Sequence, residues 1–172
     1  DRSAEEHVAA TKPDLTRFAA QPGPAVAVRL GFAGLLPFVF AAFYLSYAAI
    51  PGVRPPFVEP IAHAAAIYGA VILSFLGGVR WGIAMAGRQR GMREFVLSVM
   101  PSLLGWGAAL LPPVAAMVVL AGGFLMQAGW DQRAAATGSL PLWYATLRRR
   151  LSVVVTVALL VAAAGLLMGR VA

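Results

Sequence analysis

The sequence predicts an all-α, polytopic integral membrane bundle of about five transmembrane helices, and three observations carry that prediction. Of the 172 residues, 60% are hydrophobic, and the mean hydropathy is +0.77, beyond what a soluble domain carries. Only 12% are charged, and most of these fall in the connections between apolar runs. Those runs approach the ~20 residues that a helix rising ~1.5 Å per residue needs to cross ~30 Å of hydrocarbon.

Residues 1–29 form a polar tail with Asp1, Glu5, Glu6, Asp14, Pro22 and Pro24. It has too little apolar surface to fold alone, and a partner surface is one candidate for ordering it. A chain beginning at Asp1 reads as a processed or partial product, with any cleaved targeting segment unseen. The membrane domain is 30–172. Its first span, near 30–50, is too long and too far inside to be a signal-peptide core, although Pro37 and aromatics interrupt it. The second span lies near 61–86. The third and fourth, near 95–111 and 114–129, are the shortest. They are joined only by Pro112 and Pro113, a hairpin corner because proline cannot continue a regular helix. That hairpin either crosses fully or dips in and returns. The fifth span lies near 151–169.

Short cytoplasmic loops accumulate Lys and Arg. Arg88, Arg90 and Arg93 follow the second span, and Arg133, Arg148, Arg149 and Arg150 precede the fifth, whereas Arg54 is alone on the opposite side and balanced by Glu59. With Lys12, Arg17 and Arg29 in the tail, the N-terminus is expected to be cytoplasmic and the C-terminus periplasmic, in a bacterial inner membrane. Aromatics agree, since Trp and Tyr favour the headgroup level: Trp81, Trp130, Trp143 and Tyr144 fall at the inner boundary, and Tyr44, Tyr47 and Trp106 towards the outer. A soluble protein of charge +7 would suggest nucleic acid. Arginines in short connections suit anionic lipid headgroups better, and no nucleic-acid partner is expected.

The second span has a small residue at every fourth position: Ala62, Ala66, Ala70, Ser74, Gly78, Gly82 and Ala86. Small-xxx-small rows let helix backbones approach closely. Ala70, Ser74, Gly78 and Gly82 are therefore a packing face, for another helix of this chain or for another subunit. Gly165 and Gly169 repeat the spacing in the fifth span.

Arg80 is the one basic residue inside an apolar run. A buried cation snorkels or pairs, and Asp131 is the expected partner. Arg80, Trp81 and Asp131 thus mark either an ion pair or a site for a lipid phosphate or other anion, which a guanidinium grips as a fork. The stretch SLPLWYATLRRR, Ser139 to Arg150, reads as an interfacial anchor, with Trp143 and Tyr144 in the acyl boundary and Arg148, Arg149 and Arg150 on phosphates.

Absences bear on chemistry. No cysteine is present, which removes disulfides, thiolate metal sites and cysteine nucleophiles. His63 is a lone intramembrane histidine and cannot supply both axial ligands of a b-type haem; a satisfied interfacial His is expected. No Asp or Glu falls within a predicted span, against a proton relay. No catalytic grouping or phosphate loop appears, and no internal repeat of the sort that builds many secondary transporters. Neither enzymatic activity nor a cofactor or metal is expected, although pigments, quinones or lipids held by apolar surface leave no such mark.

Two stretches, YGAVILSFLGGVRWG from Tyr68 to Gly82 and LPLWYATLRRRLS from Leu140 to Ser152, together resemble an uncharacterised bacterial and mitochondrial membrane family that includes transmembrane protein sixty-nine. The resemblance extends from about Leu30 over most of the chain and implies a multi-span inner-membrane protein with no established activity. In that family His often stands at the position of Arg80, so no titrating role carries over. The expected function is a non-catalytic accessory or assembly subunit of a respiratory or photosynthetic inner-membrane complex. The alternative is a small transporter or lipid- or solute-binding protein with an inner-facing site at Arg80, Trp81 and Asp131.

Overall fold

The computed structural model describes residues 25–86 and 91–171. The tail to Pro24, with its candidate ordering by a partner, and Arg88 and Arg90 lie outside the described residues. Within them the chain is helical, with no strand: α1 Ala25–Ala33, α2 Leu36–Tyr47, α3 Val58–Met85, α4 Met92–Ala109, α5 Pro113–Ala136 and α6 Leu142–Val171. The helix already begins at Ala25, inside the segment assigned to the polar tail.

Helices α1 and α2 are one broken rod. Pro37 has no N–H to give to the carbonyl of Ala33, four residues back. Leu35 N–H turns instead to Phe32 O at 3.0 Å, and the carbonyl of Gly34 accepts from the Tyr68 hydroxyl of α3 at 3.1 Å. Counting that rod once gives five rods. Four are long and apolar enough to cross a membrane: Ala25–Tyr47, Val58–Met85, Pro113–Ala136 and Leu142–Gly169. The exception is α4, which spans 18 residues, opens with Arg93 and Glu94, and carries Pro101 inside.

Even so, α4 is a continuous helix. It runs antiparallel to α3, with Glu94 meeting Arg80, Pro101 facing Gly77 and Gly105 backing onto Ala70. Those contacts carry it across roughly 15 Å of the bundle before its last four helical residues. Only then does the chain turn at Pro112.

The fourth and fifth rods, α5 and α6, exceed their apolar runs. α5 continues past Gly129 to Ala136, and α6 starts at Leu142 instead of Leu151. The added turns carry Asp131 and Arg148, which face one another in the interior. Each is polar in sequence and buried in space. The expectation that no acid lies within a span is corrected accordingly: Glu59, Glu94 and Asp131 all lie within helices.

The small-residue row of α3 splits in two. Ala62, Ala66 and Ala70 are buried, whereas Gly78 and Gly82 face outward with open space where a Cβ would stand. Each four-residue step advances ~40° around the helix, so four steps turn the row through ~160° and carry it from the core to the outer surface. Ser74 lies between, half-buried. The glycine that α4 crosses is Gly77, whose added Cβ would strike the Ser98 carbonyl oxygen and approach Pro101 at 3.5 Å. In α6, Gly165 and Gly169 press on the backbone of α2 and the turn after it, at Leu45 and Ala48.

Candidate membrane cavity and its polar cluster

Four elements meet where α3 and α5 end and α4 and α6 begin. Arg80, near the end of α3, places Nη2 at 3.1 Å from Glu94 Oε2. Its guanidinium carbon stands 5.0 Å from the centroid of the Trp130 ring, within cation–π range. Trp81 is exposed and packs edge-on against Phe95, ring centroids 5.0 Å apart.

The expected Arg80–Asp131 pair is thus replaced by two others. Asp131 is 2% exposed, and its Oδ2 lies 3.3 Å from Nε of Arg148. Gln127, one turn earlier in α5, adds a weak contact to Oδ1 at 3.4 Å. The partners change because α4 begins at Met92, ahead of the apolar run, which puts Glu94 in its first turn against Arg80. The extra turns of α6 bring Arg148 inward. Trp81 does not join Asp131 in one site.

The LRRR motif divides as well. Arg149 and Arg150 are exposed, as an interfacial anchor requires, but Arg148 is 6% exposed and is no headgroup contact. Trp143 and Tyr144 are half-buried, their rings edge-to-face at 5.8 Å. From Arg148 a buried polar stripe continues at four-residue intervals through Ser152 and Thr156. This stripe, the Gln127–Asp131 pair of α5 and Ser98 of α4 are the buried polar side chains among the described residues.

Beside it lies a cavity of about 360 Å³, between the α1–α2 break, α3, α5 and α6. Most of its wall is aliphatic or aromatic, from Leu30 and Phe38 to Phe75 and Trp143. Tyr144, Arg148 and Ser152 bring polar groups to that wall. Arg148 Nη2 and Ser152 Oγ are both buried and without a hydrogen-bond partner. Leaving such a group unpaired costs ~1–3 kcal/mol, more for a charged one. Gly31, Gly34 and Leu35, around the helix break, also line the cavity. Broken helices at membrane depth are tolerated where they are buried in protein or line a cavity, and here the break lines one, with Leu35 buried and Phe32 and Leu36 exposed.

The cluster can donate hydrogen bonds and balance charge, with two guanidinium groups set against two carboxylates. Among the described residues no three His, Asp or Glu side chains gather as metal ligands, and His63 is exposed on α3. The sequence reading missed Glu94, Gln127 and Ser152. The i, i+4, i+8 spacing of Arg148, Ser152 and Thr156 is the signal that would have pointed inward.

A family model described as a protein of unknown function, DUF3429, matches residues 23–164. Transmembrane protein 69 of Xenopus tropicalis is 33% identical over 163 residues, covering 89% of this chain. The chain spans 60% of the length of that relative. No solved structure matches.

Proposed function

The chain belongs to the DUF3429 family of membrane proteins of unknown function, and from that premise we propose that it is a non-catalytic protein that holds an amphiphilic molecule in the cavity beside Arg148. One observation carries the reading: two buried donors, Arg148 Nη2 and Ser152 Oγ, stand unpartnered on residues of a mostly apolar wall. A polar head would satisfy them, and an apolar tail would cover the rest. Sites for small ligands commonly combine such a wall with a few placed polar groups in ~300–1,000 Å³.

Purification in mild detergent followed by extraction and mass spectrometry tests this. The protein is expected to carry one amphiphile in stoichiometric amount. Ala27→Phe, which fills the cavity without removing a polar group, is expected to lose it. A protein that carries only bulk lipid, equally in both forms, sinks the proposal.

A second reading, an accessory or assembly subunit of a larger respiratory or photosynthetic complex, is favoured by the outward-facing Gly78 and Gly82, a GxxxG pair with no neighbour within 4 Å of either added Cβ. Native mass spectrometry after gentle solubilisation tests it, and recovery as a free monomer alone counts against it. In both readings we place the N-terminus in the cytoplasm and the C-terminus in the periplasm of a bacterial inner membrane. The support is the exposed Arg93, Arg133, Arg149 and Arg150 at the cluster end of the bundle, a surface for anionic headgroups, with no role in nucleic-acid binding. Reporter fusions at the two termini that give the same sidedness would overturn that orientation.

A further inference from the structure

We infer that the occupant of the cavity has an uncharged head offering carbonyl or hydroxyl acceptors, as in an isoprenoid quinone or a neutral acylglycerol, and is not an anionic lipid; this rests on the reading of the cavity as an amphiphile site.

Charge balance comes first. Among the described residues Arg148 is the one cation lining the cavity, and its Nε is already engaged by Asp131, itself buried. The neighbouring charges, Arg80 and Glu94, engage each other. The four groups sum to zero. An anionic head on Arg148 would set a second negative charge beside Asp131, and a buried charge without a counterion is strongly disfavoured. A neutral acceptor takes the free Nη2–H and leaves the Asp131–Arg148 pair intact.

Donor geometry points the same way. A guanidinium donates only, and a serine hydroxyl donates as readily as it accepts. Arg148 and Ser152 stand one helical turn apart on the same face of α6. Two adjacent buried donors suit a head with one or two acceptor oxygens.

The exit for a tail is also present. Leu30 and Phe75 line the cavity, yet they are 67% and 66% exposed, so the space opens sideways through α1 and α3 onto the outer surface of the helices. In a bilayer that surface meets acyl chains. Trp143 in the wall supplies an optical reporter.

The test uses the full chain in phosphatidylcholine nanodiscs, titrated separately with a short-chain ubiquinone, dioleoylglycerol, oleate and phosphatidylglycerol. Tryptophan fluorescence is read in the wild type, in Trp143→Phe and in Ser152→Ala, which leaves the buried ion pair untouched. Saturable binding of the quinone or of the diacylglycerol is expected, with the signal lost in Trp143→Phe and affinity weakened about threefold to tenfold in Ser152→Ala. The arm that saturates at lower concentration identifies which of the two neutral heads is preferred. Oleate or phosphatidylglycerol binding as tightly as the neutral ligands overturns the neutral-head inference and leaves the amphiphile site standing. Binding that both variants leave unchanged lies elsewhere and overturns the inference. Saturation by none of the four overturns both readings.

Discussion

The two ends of the bundle are held together by different means. Towards one end, backbone lies on backbone: an added Cβ at Gly165 would stand 2.7 Å from the carbonyl oxygen of Leu45, at Gly169 2.9 Å from that of Ala48, and at Gly105 2.9 Å from that of Ala70. At these contacts there is no room for a side chain, and the one space beside Gly165 and Gly169 among the described residues is a smaller one of about 230 Å³, edged by Arg54 and Glu59. Towards the other, the helices carry Asp131 and Arg148 in their interior, with the half-buried Arg80 and Glu94 beside them, and leave a cavity with two unsatisfied donors. Small residues give helix association in lipid without a hydrophobic driving force. Buried ions give far less net stability for their desolvation cost. A bundle selected for stability alone would repeat the glycine end throughout, so the polar end is where a role beyond packing is to be sought.

The largest expected effect follows from breaking the polar end. Asp131→Leu strands Arg148 inside the protein, and loss of one partner of a buried pair costs ~3–5 kcal/mol. A large drop in melting temperature in detergent is expected. Asp131→Leu with Arg148→Met should recover most of it, because the pair removed together leaves no orphan charge. A double-mutant cycle of Asp131 with Arg80, which engages Glu94 instead, should be much closer to additive. Strong coupling there, and none with Arg148, would refute the pairing described.

The glycine end is next. Gly165→Val places a branched side chain where a single Cβ already meets the Leu45 carbonyl and Ser46 nitrogen within 2.8 Å. Overpacking of this kind costs ~1–3 kcal/mol, and α2 must move, since the obstruction is backbone and has no rotamer to change. Unaltered melting of Gly165→Val would show that α2 and α6 are not in close contact in the membrane.

The two ends were not equally legible in the sequence. The five rods follow from apolar runs, and the α2–α6 contact was foreshadowed by the spacing of Gly165 and Gly169. The polar end was hidden by the same criterion that revealed the rest. A hydropathy reading stops α5 at Gly129 and starts α6 at Leu151, because Asp131 and Arg148 look like loop residues when each is read alone. They are helical because each neutralises the other across the α5–α6 interface, a property of the pair that no single run displays. Likewise three consecutive arginines look equivalent in sequence, and only their position on a helix, ~100° apart, turns Arg148 inward and leaves Arg149 and Arg150 at the surface.

The smallest expected effect on stability separates packing within the chain from packing against something else. Gly78 and Gly82 share the row of Ala62, Ala66 and Ala70, but the row has rotated off the core by the time it reaches them. Gly78→Val with Gly82→Val should therefore shift the stability of the isolated protein by no more than ~0.5 kcal/mol, the range for surface substitutions away from special features. If these glycines seat the helix of a partner subunit, the same double variant should lose that partner in native mass spectrometry while melting like the wild type. Loss of both stability and partner would place the glycines in the internal packing. Retention of the partner by a fully stable variant would move the interface to another face of the bundle.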